Sequence, residues 1–377
     1  MGAKLSRLLE SALAPSDGWK RRVAVLAFGL AMAGGLALAH GKPNTASLKV
    51  QPIEIAAEAI LSFDKESAGR TQFGKLEWRG GLVLSSPSAS FGGWSGLAFD
   101  ADGETLFAVS DAGTWMTAKL VHEGRRPTAL ASARIGPLKA REGKPLNRGR
   151  DRDAEAVVLA EGTLAKGTLL VAFEQNDRIG RFVVAGGEPA PPSAYLKIPV
   201  EVQRMRFDGF EALTVLRGGP FKGSIVALAE NRVPGESDHS GWIWIDGVPQ
   251  RFHLADVGEF AITDAASLAD GSLLVLERRF RWSEGVRMRL RRIEAQNLAP
   301  SARIEAEVLL EADMGQEIDN MEGLAVREGP SGETLITMIS DDNFNALLQR
   351  TVLLEFALPA EGKAASATGE EAAAPAQ

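Results

Sequence analysis

DNMEGLAV, residues 319–326, sets a carboxylate just ahead of a glycine and a short apolar run, and the chain repeats the arrangement four more times. The copies are WSGLAF at 94–99, AEAVVL at 154–159, FEALTV at 210–215, AASLAD at 265–270 and MEGLAV at 321–326. With Leu97, Val157, Leu213, Leu268 and Leu324 as equivalents, the intervals are 60, 56, 55 and 56 residues. A near-constant interval of this size marks units that stack on their neighbours to complete one core, as in a propeller or a solenoid. Each copy is followed by a glycine and a second apolar run: GETLFAVSD (103–111), GTLLVAFEQ (167–175), GSIVALAEN (223–231), GSLLVLERR (271–279) and GETLITMISDD (332–342). Runs of about six apolar and β-branched residues between glycine turns are strand signals. WIWIDG (242–247), RMRLRRI (287–293) and RTVLLEF (350–356) alternate as half-exposed outer strands do. Three or four strands in about 55 residues is the anatomy of a propeller blade. A β-helix has shorter rungs, and an α-solenoid needs a helical period that is missing. The expectation is therefore an all-β propeller with five blades directly readable. EWRGGLVLSS (77–86) can return to supply the outer strand of the last blade; if residues 51–90 instead make most of a blade, the count is six.

The chain has 377 residues, 45% of them hydrophobic and 24% charged, which supplies ample material for a core. Its first 39 residues read differently. Lys20, Arg21 and Arg22 precede the uncharged stretch VAVLAFGLAMAGGLALA, which closes on Ala37, Leu38 and Ala39 in a small-x-small cleavage pattern. Residues 1–39 are thus expected to be a cleaved export signal or, at the low edge of membrane-spanning length, an uncleaved N-terminal anchor. The chain would then be periplasmic or secreted, and tied to the inner membrane if the segment stays. Without these five basic and two acidic side chains, the net charge moves from −7 to −10. So acidic a protein repels nucleic acid, and none is expected as a partner. Membrane contact is expected only through the N-terminal segment, and the protein is expected as a monomer. Cysteine is absent, which excludes thiolate nucleophiles and cysteine-held zinc. Residues 40–74 read as a linker and irregular segment, 75–358 as the propeller, and the Ala-, Glu- and Pro-rich residues 359–377 as a disordered tail.

Successive antiparallel strands place the start of an innermost strand and the end of the next at one face of the disc. Glu155, Glu211 and Glu322 begin innermost strands. Asp111, Glu174, Glu230, Glu277 and Asp341 end second strands. Glu155 to Glu174, Glu211 to Glu230 and Glu322 to Asp341 each span 19 residues, so three blades repeat one pair. The expected result is a ring of carboxylates at one mouth of the channel. Crowded acids raise one another's pKa unless cations neutralise them. Ca²⁺ suits several flexible oxygen ligands, with Glu155, Glu174, Glu211, Glu230, Glu322, Asp341 and Asp342 as the candidate set. Arg152, Arg206 and Arg278 can pair with the same acids. A repeated acid can equally be a blade signature that bonds to the neighbouring backbone and fixes a turn. SDDNF, 340–344, offers more oxygen ligands than a turn requires.

FGGWSGLAFD (91–100), FAVSDAG (107–113), RDAEAV (152–157), FEAL (210–213) and above all DNMEGLAV with ISDDNF and QRTVLLEF resemble the bacterial phytase-like family described as "esterase-like activity of phytase". The similarity runs over residues 75–358 or so, with the motifs in order. The resemblance implies a β-propeller that hydrolyses phosphate or carboxylic esters. The better-known β-propeller phytases bind and hydrolyse phytate in an acidic channel filled with Ca²⁺.

Two hydrolytic chemistries can be compared with the residues present. A serine esterase needs an activated hydroxyl, a base and oxyanion donors. Ser95 in GGWSGL is the candidate, but it lacks a GxSxG elbow and holds the place that Glu155 and Glu322 hold elsewhere. His122, His239 and His253 fall outside the repeated mouths. Metal-assisted hydrolysis asks less: Ca²⁺ held by Glu155, Glu211, Glu322, Asp341 and Asp342, Arg152 or Arg278 clamping a phosphate, and a further carboxylate as base. Glu155, Glu211, Glu322, Arg152 and Arg278 are the catalytic candidates. A non-catalytic envelope propeller that binds a ligand or a partner protein fits the same features. In RRFRWSEGVRMRLRR (278–292), Arg287, Arg289 and Arg291 are expected to share the solvent face of a strand. Trp242 and Trp244 are expected to pack within a blade.

Overall fold

The structure, a computed structural model, describes residues 42–146, 149–199, 202 and 209–359. The expected export or anchor segment and the tail from residue 360 lie outside the described residues, as does Arg206. Among the described residues no helix is long and apolar enough to cross a membrane.

The strands form five sheets, each begun by one of the repeated motifs. Their innermost strands are Trp94–Phe99, Ala154–Gly162, Phe210–Val215, Ala261–Ser267 and Met321–Glu328, and the sheets are called blades I to V in that order. Each pairs antiparallel with the Gly-led second strand: Thr105–Ser110, Lys166–Phe173, Ile225–Ala229, Leu273–Arg281 and Thr334–Ser340. Neighbouring innermost strands touch all the way round, including V against I, so the units close into a circle. Five apolar clusters fill the five seams between blades. Each sheet buries both faces against its neighbours, which is why its strands are apolar at nearly every position. Trp242 and Trp244 behave as expected: both are buried, with edge-to-face contacts to Phe210 at 5.5 and 6.0 Å.

The chain returns to close the ring. Leu76–Ser85 pairs with Thr351–Leu358 as the next strand of blade V, so the EWRGGLVLSS segment does supply an outer strand and the count is five. The sheets also reach into the segment read as a linker. Ala56–Ile60 and Gln72–Phe73 both pair with Leu76–Ser85, and Gln51–Pro52 pairs with the outer strand Arg126–Pro137 of blade I.

The innermost strands share one irregularity that decides where side chains point. In each, the register against the second strand slips by one residue, leaving Ser95, Glu155, Glu211, Thr263 and Glu322 as the extra residues of five equivalent β-bulges. A bulge re-aims the side chain it carries. The residue after it is Gly96, Ala156, Ala212, Asp264 or Gly323, small in four blades because the neighbouring strand passes close. A Cβ on Gly96 would lie 2.8 Å from the Val157 nitrogen.

The bulges correct the repeat alignment in blade IV. The equivalent of Leu97, Val157, Leu213 and Leu324 is Ala265, not Leu268, because AAS rather than SLA occupies the strand. They also correct the acid ring. In the other blades the residue just past the partner of the pre-bulge residue is Asp111, Glu174, Glu230 or Asp341; in blade IV, where Glu277 is that partner, the same place falls to Arg278. There Glu277 is wholly buried and forms ion pairs with Arg289 at 2.6 Å and Arg291 at 2.9 Å. The face of Arg289 and Arg291 that alternation marks as solvated is therefore interior. Phe260 covers Arg289 at 4.1 Å, and Arg291 donates to the Ala255 carbonyl. The counter-charge comes from the adjacent strand, which a single-strand pattern does not reveal.

Candidate metal centre at the channel mouth

The three bulged glutamates converge. Glu155, Glu211 and Glu322, from blades II, III and V, are each at most 7% exposed and place carboxylate oxygens within 4.8 Å of one another. A second group, Asp153, Glu155 and Glu174, meets the same criterion and shares Glu155. Asp153 precedes the bulge by two residues, just after the helical turn Gly149–Arg152. Asn320 holds the same place in blade V and donates to Glu322 at 2.7 Å. These two positions were not singled out from the sequence, although a polar residue two before the repeated acid was readable in RDAE and DNME.

The second-strand acids complete the mouth. Asp111, Glu174, Glu230 and Asp341 all act electrostatically on members of the glutamate cluster. Burial and the charges of Asp153 and Glu322 push the Glu155 carboxyl well above the usual range. Burial with Glu155 and Glu230 does the same to Glu211, and burial with Asp111 and Glu322 to Asp341. Glu174, half-buried, is pushed up to about 8 by burial, Asp153 and Glu230. Asp111 rises only to about 6, because Lys42 offsets much of its burial.

Two cations flank the cluster among the described residues. Arg278 reaches Glu322 and Glu230, each at 3.3 Å, and donates to Asn320 at 2.6 Å. Burial opposes its charge, but Glu322, Glu230 and Glu211 more than restore it. On the other side Lys42 lies 2.7 Å from Asp153 and 3.0 Å from Asp111.

Other candidates are employed elsewhere. Arg152 donates to the Pro43 carbonyl at 2.9 Å, and its aliphatic stem packs on Gly113. Asp342 accepts from the Gly93 and Phe344 amides, both at 3.0 Å, and from the Thr351 hydroxyl at 3.1 Å, tying blade V to blade I. A side chain on Gly92 would strike its carboxylate. Ser95 is buried, with its hydroxyl 3.5 Å from the Gly93 carbonyl and no base hydrogen-bonded to it among the described residues. Asp264, which the sequence did not single out, accepts from the Leu324 amide at 2.7 Å and the Ala265 amide at 2.8 Å. It bonds the Leu213 amide as well, and so staples three innermost strands.

Beneath the acids Leu97, Val157, Leu213, Ala265 and Leu324 help line the narrower continuation of the channel, a space of about 30 Å³. The donor set fits a hard divalent cation: every converging ligand is a carboxylate oxygen, and no cation of the described residues touches Glu155 or Glu211.

Fold and site together define a five-bladed β-propeller with an acid-lined channel mouth. Residues 89–344 match the phytase-like family described as "esterase-like activity of phytase", and the chain belongs to that family. No curated protein matches it. Among solved structures it is similar to the N-terminal domain of Nup159, at 10% identity and a TM-score of 0.34, covering 76% of this chain and 96% of that one. It is also similar to the β-propeller domain of Myceliophteria thermophila Cps50 (Swd1), at 9% identity and a TM-score of 0.38, covering 83% and 100%. The Dos1 propeller matches at 8% identity and a TM-score of 0.34, covering 75% of each chain. At these scores none of the three bears on the function.

Proposed function

We propose that this protein is an exported ester hydrolase, acting on phosphate or related esters at the acid mouth with Ca²⁺ held by Glu155, Glu211 and Glu322. The observation that carries the reading is the convergence of three buried carboxylates from three blades within 4.8 Å. Three like charges so close are unfavourable unless protonated or bridged by a cation, and three bulges aim them at one another. A bound Ca²⁺ would polarise the ester oxygen and acidify a water. The chain's own residues supply the rest. Arg278 fixes Glu322 and Glu230 and brings a guanidinium to the rim, where it can meet an anionic oxygen. Glu174, at the rim and half-exposed, takes the proton of the attacking water, while the ester oxygen leaves and is protonated from solvent.

The test is hydrolysis of a generic phosphomonoester and a generic carboxylic ester, in calcium and after chelation, by the wild type and Glu322→Gln. The reading predicts calcium-dependent turnover that the substitution abolishes together with calcium binding. Unchanged calcium affinity and turnover in the variant would refute it. Calcium-dependent stabilisation with no turnover of either ester would identify the protein instead as a ligand- or partner-binding propeller of the envelope.

A further inference from the structure

Lys42 reaches the mouth from outside the blades. Its ammonium bridges two carboxylates of different blades: Asp111 at the end of blade I's second strand and Asp153 at the start of blade II's innermost strand. Both are buried, at 7% and 2% exposure. Two hydrogen bonds fasten the segment that carries it to the body of the propeller, and a third is internal to it. Thr45 is fully buried and donates to the Leu146 carbonyl at 2.6 Å. The Pro43 carbonyl accepts from Arg152, and Asn44 caps the turn Thr45–Ser47 through the Ala46 amide. Residues 42–47 thus form a strap over one side of the mouth, with a cation at its tip.

That side belongs to the second carboxylate group. Asp153, Glu155 and Glu174 lie within 4.8 Å of one another, and Asp111 joins them through Lys42. On the far side Arg278, standing where other blades carry an acid, already neutralises Glu230 and Glu322. The protein therefore brings one cation of its own to each flank. One of the two, Arg278, is built into a strand. The other is carried by a strap outside the blades.

We propose that Lys42 is a tethered cation occupying one cation position of the mouth, so that the N-terminal strap sets how many divalent ions the site accepts. The inference rests on the calcium reading of the glutamate cluster. With the strap in place, calcium enters only at Glu155, Glu211 and Glu322; with Lys42 withdrawn, the Asp111 and Asp153 oxygens it holds join Glu174 as ligands for a second ion, while the other Asp153 oxygen still accepts from Gln175. Arg152 gains a role through this arrangement, holding the strap by Pro43 rather than meeting substrate.

The test is equilibrium dialysis of chelator-stripped full-length chain against calcium, read as ions bound per chain at saturation. The wild type should bind one, Lys42→Met and Lys42→Gln two, and Lys42→Arg, which keeps the charge, one. The pair of neutral variants guards against one of them failing to fold. Equal counts in wild type and folded neutral variants overturn the role of Lys42. A wild type that binds no calcium separately refutes the reading on which the proposal rests.

Discussion

Glu211→Gln should make the cation-free protein more stable, against the usual outcome of altering a buried polar residue. Glu211 faces Glu155 and Glu322, with carboxylate oxygens within 4.8 Å. At an effective dielectric of roughly 20, two charges at that distance repel by about 3.5 kcal/mol, so ionising Glu211 against both neighbours costs about 7 kcal/mol. Holding a proton on a carboxyl of ordinary pKa near 4.3 costs about 3.7 kcal/mol at pH 7. Protonation is the cheaper course, in keeping with the raised Glu211 pKa. Glutamine has the shape of the protonated acid without that cost. The variant should therefore gain about 2 to 4 kcal/mol in chelator at pH 7, or roughly 4 to 8 °C in Tm for a domain of this size. Calcium should reverse the order, because the wild type is stabilised in proportion to the logarithm of ligand over Kd and the variant has lost a ligand. Scanning calorimetry in EDTA and in calcium reads both effects. A Glu211→Gln protein less stable than wild type in EDTA would refute the reasoning, since the acid would then be a satisfied structural group.

Glu277→Gln should behave oppositely: it leaves Arg289 and Arg291 buried without their carboxylate, so urea denaturation should show a loss of roughly 3 to 5 kcal/mol, with calcium binding unchanged. Asp264→Ala removes the acceptor for the Leu324, Ala265 and Leu213 amides, and at about 1 to 3 kcal/mol per buried amide left unpaired it should cost several kcal/mol, read as accelerated amide exchange along blades III to V. Glu355 is held below its usual pKa: burial opposes this, but the His122 hydrogen bond and the Arg327 charge prevail. Its contribution is therefore full above the unfolded pKa and fades as pH falls through the folded value, so the stability gap between wild type and Glu355→Gln should shrink as the pH falls below about 4. A gap that widens below that pH would contradict the assignment. In metal-free protein the raised carboxyls at the mouth carry the reverse sign, so lowering the pH from 8 to 6 should raise Tm, and saturating calcium should abolish that slope.

Much of this architecture was legible because propeller blades repeat. The motif spacing marks five units, and the 19-residue pairing of Glu155 with Glu174, Glu211 with Glu230 and Glu322 with Asp341 places acids at one face before any coordinate is known. What the sequence hid was the bulge. Its position depends on which residues the second strand leaves unpaired, and so Leu268 drew the blade IV alignment away from Ala265 and hid Arg278 behind Glu277. Asp342 reads as a ligand beside Asp341, yet the strand end turns it toward Gly93 and Thr351. The alternating arginines of blade IV read as solvated because their partner Glu277 and their cover Phe260 come from other segments. Lys42 was unreadable for the same reason: nothing in residues 42–47 signals that they fold back across more than 60 residues to meet Asp111.

The claim on which the account depends is that one cation bridges three blades. Diffraction from crystals grown in calcium, or with a lanthanide in its place, tests it most directly. The account predicts an anomalous peak about 2.3 to 2.6 Å from oxygens of Glu155, Glu211 and Glu322. A mouth that stays free of cations at millimolar calcium, with those glutamates bonded to one another, would contradict it.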